Sequence, residues 1–175
     1  MSLADAAPPP AFALHKARYL VLSLVVLALD QWTKWLVEIH LPPHVSQPIV
    51  PGLLNLTHVR NTGVAFGLWA GGGSWTLTLL GLAALVVVGF YFLRTGHGQR
   101  LLLVALALVL GGAVGNLLDR VLAGAVTDFV DAYVGSHHWP AFNVADSAIS
   151  IGLVLMALDA LRPASRRDGE RPAPA

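Results

Sequence analysis

Asp128 and Asp146 are the residues whose types and settings best suit them to act together. Asp128 stands in Val126-Thr127-Asp128-Phe129-Val130, and Asp146 in Phe142-Asn143-Val144-Ala145-Asp146-Ser147. Two carboxyl groups held close cannot both ionise cheaply, so one keeps a proton and the other a charge. The charged one can draw a proton from water while the protonated one polarises a carbonyl, which is aspartic peptidase chemistry. The same pair could pass protons through a transporter, and spacing alone leaves both readings open. Asp131, between Val130 and Ala132, competes with Asp128 or is simply a solvated loop carboxylate.

Other polar residues gather near the pair in sequence. Asn143 is three residues before Asp146, on one helical face. Asn116, Asp119 and Arg120 share a face at offsets of three and four, with either a site-holding or a structural role. Asp30 and Lys34 are four apart and can pair. That pair either makes an apolar helix insertable, with Lys34 snorkelling outward, or orients the site. Ionisable groups in apolar segments are functional candidates by default because their burial in lipid is costly.

Other chemistries find less support. The chain has no Cys, so no disulfide, thiolate nucleophile or Cys-ligated metal is available. There is no HExxH, and His137-His138 has no third ligand at a recognisable spacing, so no metal or cofactor is expected and the two His read as loop residues. Ser74 and Ser136 follow glycines without any sign of a paired base. No Lys/Arg block suggests nucleic acid.

The elements that must hold these residues are apolar. Of 175 residues 55% are hydrophobic and 12% charged, against roughly 25% charged in soluble domains. Four stretches can each cross a bilayer, which takes roughly 20 apolar residues: 19–39, 75–93, 101–118 and 142–161. The second and third have no polar face, which argues against a soluble bundle. The first could be a signal peptide, since Lys16 and Arg18 precede Tyr19 to Leu29. It is followed by Asp30-Gln31-Trp32-Thr33-Lys34-Trp35 rather than a small-residue cleavage site, so it reads as a retained helix. The expected fold is an α-helical integral membrane protein with four transmembrane helices in one domain.

Four spans put both ends of the chain on one side. Lys16, Arg18, Arg94, Arg100, Arg162, Arg166, Arg167 and Arg171 fall there, against Lys34, Arg60 and Arg120 on the other. That bias places both termini in the cytoplasm and segments 40–74 and 119–141 outside. Segment 40–74, punctuated by Pro42, Pro43, Pro48 and Pro51-Gly52, is the expected place for extended structure. Trp69 and Trp75 flank Gly71-Gly72-Gly73, which suits a membrane-surface segment able to act as a lid. Residues 1–15 and 163–175 read as flexible tails.

Taken together, the motifs resemble one family. Arg60-Asn61-Thr62-Gly63-Val64-Ala65-Phe66 is similar to the R-N-x-G-x-A-F segment of the lipoprotein signal peptidases (signal peptidase II), and the run from Gly111 to Arg120 to their G-x-x-G-N-x-x-D-R block. Val126-Thr127-Asp128-Phe129 resembles V-x-D-F, Phe142 to Ser147 resembles F-N-x-A-D-S, and Asp30-Gln31-x-x-Lys34 resembles the first-helix signature. Five blocks in order are far more specific than any one. The resemblance implies an aspartic endopeptidase of the bacterial inner membrane. Its substrate would be a prolipoprotein carrying a diacylglyceryl group on the Cys after the scissile bond. The expected partners are that substrate and membrane lipids, and the chain is expected to be a monomer, although the sequence does not fix its oligomeric state. The resemblance also implies that Asp128 and Asp146 form the catalytic dyad, and that Asn55, Asn116, Arg120 and Asn143 shape the site. A proton-coupled transporter using Asp30, Asp128 and Asp146 is the alternative of a different class, weakened by the lack of an inverted repeat.

Overall fold

The structure, a computed structural model, describes residues 11–63 and 73–162. The two tails (apart from residues 11–15), the Val64-Ala65-Phe66 part of the second motif, and Trp69 with Gly71-Gly72 lie outside them. The element order is α1 (Ala11–His40), β1 (Ser46–Val50), β2 (Leu54–Asn61), α2 (Gly73–Arg94), α3 (Arg100–Ala123), β3 (Val126–Val134), β4 (His137–His138) and α4 (Val144–Ala160).

Three helices, α1, α2 and α3, are long and apolar enough to cross a membrane. α4 is a shorter apolar helix of 17 residues. The helices differ from the expected spans at their ends. α1 begins at Ala11, inside the expected tail, and its 30 residues reach about 45 Å at 1.5 Å per residue. α3 continues past residue 118 to Ala123, so Asp119 and Arg120 are helical and not part of a loop. Gly124 ends it in the left-handed conformation, φ 72°, with its N–H returned to the Arg120 carbonyl.

α3 is the central helix, packed against α1, α2 and α4. Its glycines explain how. A Cβ on Gly111 would lie 2.6 Å from the Ser23 carbonyl oxygen of α1, and one on Gly112 would lie 2.5 Å from that of Ala145 in α4. Small residues on two adjacent faces of α3 therefore seat two different neighbours, as close helix packing in lipid requires. Outside these seams the apolar side chains of α2 and α4 point away from the protein, Val86, Leu79 and Val154 among them. At the end near the α2–α3 turn, Tyr19, Phe92, Leu103, Leu106 and Ala107 form a buried cluster. There the Lys16 ammonium closes the end of α2 by donating to the carbonyls of Phe92 and Leu93 at 3.0 and 2.7 Å.

The opposite end carries a four-stranded antiparallel sheet in the order β1-β2-β3-β4. Extended structure was expected only in segment 40–74, but segment 119–141 supplies half of the sheet. Val126 to Val134 is rich in β-branched and aromatic residues and pairs with β2, so β3 needs the first segment as its partner. A register shift lies between Leu56 and Val59: Leu56 opposes Val130, yet Val59 opposes Asp128. One extra residue in β2 faces Phe129, a bulge that changes which side later β2 residues occupy. Val37 and Leu41 at the end of α1 pack with Phe129 beneath this sheet.

Candidate active site

α4 opens with its first turn aimed at the other elements. Asn143 is its N-cap: Oδ1 accepts from the Asp146 N–H at 2.9 Å, and the Asp146 carboxylate accepts from the Asn143 N–H at 3.2 Å. This reciprocal capping box fixes both residues at once. With its oxygen taken, Asn143 turns its Nδ2 toward Asp128, donating to Oδ1 at 2.7 Å. A side chain with no exposed surface thus bridges a helix carboxylate and a strand carboxylate. Asn61 donates to the other Asp128 oxygen at 2.9 Å, and Asn116 donates to Asp146 Oδ1 at 2.7 Å. Asp128 is 2% exposed. Burial pushes its pKa up from 3.8 to about 6; the Asn61 hydrogen bond offsets part of this and the Asp146 charge adds to it. Asp128 also lines a cleft of about 400 Å³ with Val59, Arg60, Asn61, Thr62, Pro140 and Ala141.

Beneath the two carboxyls lies an ionic layer. Asp30, fully buried, accepts from the Ala145 N–H at 2.9 Å, so α1 supplies a second cap to α4. Lys34 bonds Asp30 and Asp119, each at 2.7 Å, and Asn116 Oδ1 at 3.0 Å. It points inward and is not the outward-snorkelling lysine that was one expectation, because three acceptors from two helices converge on it. Gly115 leaves the room: a Cβ there would meet Asp30 Oδ2 at 2.5 Å. Arg120 donates to the Asn116 carbonyl at 3.3 Å and lies within electrostatic reach of Asp146, Asp128 and Asp119. No ion pair between Arg120 and Asp119 is seen among the described residues; Lys34 holds that carboxylate.

Two sequence expectations are redirected. Asn55 does not reach Asp128 or Asp146. It donates to Asp131 Oδ2 at 2.8 Å, and His138 holds the other Asp131 oxygen at 2.8 Å. Asn55 and Asn61 are six apart and would share a face of a regular strand, but the bulge between them sends them to different carboxylates. Burial works to raise Asp131, but the Asn55 and His138 hydrogen bonds prevail and hold it below the usual carboxylate range. His137 and His138 form β4, and the His138 ring stacks on Tyr133. Sequence reasoning missed Asn61, quoted in a motif but given no role; its signal was a polar residue at the end of a strand beside Arg60. It also missed Gln31, which donates to Asp119 at 2.8 Å, and Glu38, which accepts from Thr127 at 2.6 Å.

The profile of a known family, described as signal peptidase (SPase) II, matches residues 22–162. The chain belongs to the signal peptidase II family. By that membership it is a peptidase of the aspartic class, and the transporter alternative is not favoured. A lipoprotein signal peptidase of Desulforapulum autotrophicum is 48% identical over 143 residues, covering 79% of this chain and 88% of that one. The lipoprotein signal peptidase of Geobacter metallireducens is 44% identical over 160 residues, covering 87% and 97%. Among solved structures, a bacterial membrane enzyme determined in meso at 1.9 Å resolution superposes with a TM-score of 0.75 at 30% identity, covering 83% of this chain and 94% of that one. A second, at 2.3 Å, gives 0.74 at 28%, covering 91% and 94%. The signal peptidase II profile spans every residue of the polar network described above.

Proposed function

We propose that this protein removes signal peptides from diacylglyceryl-modified prolipoproteins, cutting before the lipid-bearing Cys, with Asp128 and Asp146 as its catalytic pair. The observation that carries the reading is Asn143, one buried side chain that caps Asp146 and donates to Asp128. It couples two carboxyls from different elements beside a cleft, where one can hold a proton and the other a charge. All four helices cross the bacterial inner membrane, with both termini cytoplasmic and the pair near the outer face. A signal helix and two acyl chains can then arrive laterally without leaving lipid.

The test is cleavage of a diacylglyceryl-modified prolipoprotein by purified protein. Asp128→Asn and Asp146→Asn keep shape but cannot cycle a proton, so each is expected to abolish the shortened product while accumulating normally. Wild-type turnover by either variant removes that residue from the mechanism.

A further inference from the structure

Lys34 has three N–H bonds and three acceptors: Asp30, Asp119 and the Asn116 side-chain oxygen. Asn143 also donates to that oxygen, at 3.2 Å. With its oxygen claimed from two directions, Asn116 can offer only its nitrogen to the site, and that nitrogen meets Asp146 at 2.7 Å. A buried cation thus orients and polarises an amide that donates into one carboxylate of the pair. Asp146 has further support as an anion. It sits in the first turn of α4, where unpaired N–H groups favour negative charge, and the Arg120 guanidinium lies within electrostatic reach of it. Asp128 lies on a strand, where the neutral amides of Asn143 and Asn61 donate to it. Its elevated value of about 6 fits the same asymmetry.

We propose that Lys34, acting through Asn116, holds Asp146 as the carboxylate and leaves Asp128 to carry the proton of the pair. This rests on the dyad reading above. Asp146 then takes a proton from water as its oxygen bonds to the scissile carbonyl carbon, and Asp128 gives its proton to the carbonyl oxygen. On collapse the C–N bond breaks. Asp146 returns its proton to the departing nitrogen, and Asp128 recovers one from the hydroxyl as C=O reforms, so the pair ends as it began. Lys34 touches no substrate and is a positioning residue. The charged and titratable groups facing the pair are Asp30 and Lys34 from α1, Asp119 and Arg120 from α3 and Arg60 from β2, which lines the cleft beside Asp128, with Glu38 reaching β3 through Thr127.

Two measurements test this. Infrared difference spectra below the Asp128 value of about 6 read the protonated carboxyl directly. The band is expected to vanish in Asp128→Asn and persist in Asp146→Asn; the reverse pattern overturns the assignment. The pH profile of kcat/KM tests Lys34. Lys34→Gln combined with Asp30→Asn and Asp119→Asn removes the cation without stranding either carboxylate partner, and Asn116→Ala cuts the relay while leaving the ion pairs intact. Each is expected to move the acid limb upward by about one pH unit, a tenfold change in proton affinity. A rate loss with an unmoved limb in both variants means a structural role only and overturns the proposal. Turnover by Asp128→Asn or Asp146→Asn instead overturns the dyad reading itself, so the two failures are distinguishable.

Discussion

At the scale of the residue, two asparagines of one strand make opposite predictions. Asn61→Ala strips a donor from Asp128 and is expected to lower kcat/KM at least tenfold, about 1.4 kcal/mol of transition-state stabilisation. Asn55→Ala strips a donor from Asp131 and is expected to retain most activity. Comparable losses in both variants would contradict the division that the bulge imposes. Asp128 also predicts a pH dependence of stability. Its folded value is raised, so the folded state binds the proton more tightly than the unfolded chain. Its contribution is therefore fully present below pH 3.8 and is lost as pH rises through about 6. The amount is on the order of 2–3 kcal/mol. Thermal unfolding between those limits should show wild type losing several degrees relative to Asp128→Asn; parallel curves would refute it. The carboxylates, Asn116, Asn143 and the Asp30–Lys34 pair were legible in sequence because polar and ionisable residues in apolar surroundings are conspicuous. Asn61 was not, because a polar residue at a strand end is ordinary until a bulge aims it.

At the scale of the element, the helices were legible and their neighbours were not. Apolar runs mark α1 to α4, but the end of α3 was placed at the first charges when Asp119 and Arg120 are helical and turned inward. β3 was missed because a strand pairs with something distant, here β2, and no local pattern records the partner. The glycines of α3 give the sharpest test of element packing. Gly112→Leu has no room, its Cβ falling 2.5 Å from the Ala145 carbonyl oxygen, and it should displace the first turn of α4 with both the cap and activity. Gly89→Leu in α2 meets nothing within 4 Å and should accumulate and cleave normally. Membrane accumulation and product formation, measured for both, decide the matter; equal tolerance would mean that α3 and α4 are not seated as described.

At the scale of the whole molecule, the polar network and the α2–α3 turn lie at opposite ends of the bundle, so the proposed topology is testable from both. With no native Cys, Ser46→Cys and Ser136→Cys should label with an impermeant thiol reagent in intact cells, and Gly96→Cys should label only after lysis. The inverse pattern would turn the protein over in the membrane. The ionic layer has a further consequence for how such a chain is made. α1 leaves the ribosome long before α3 exists, since Asn116 follows Lys34 by 82 residues. An unaccompanied Asp or Lys near the middle of a nascent span costs about 2.5–3.5 kcal/mol on insertion scales. Asp30 and Lys34, one turn apart, neutralise each other during that interval and hold the place that Asn116 and Asp119 later complete. An Asp30→Ala chain is therefore expected to fail earliest, at translocon release of α1, and a cysteine-labelling time course during synthesis would detect it before any assembled enzyme could be missed.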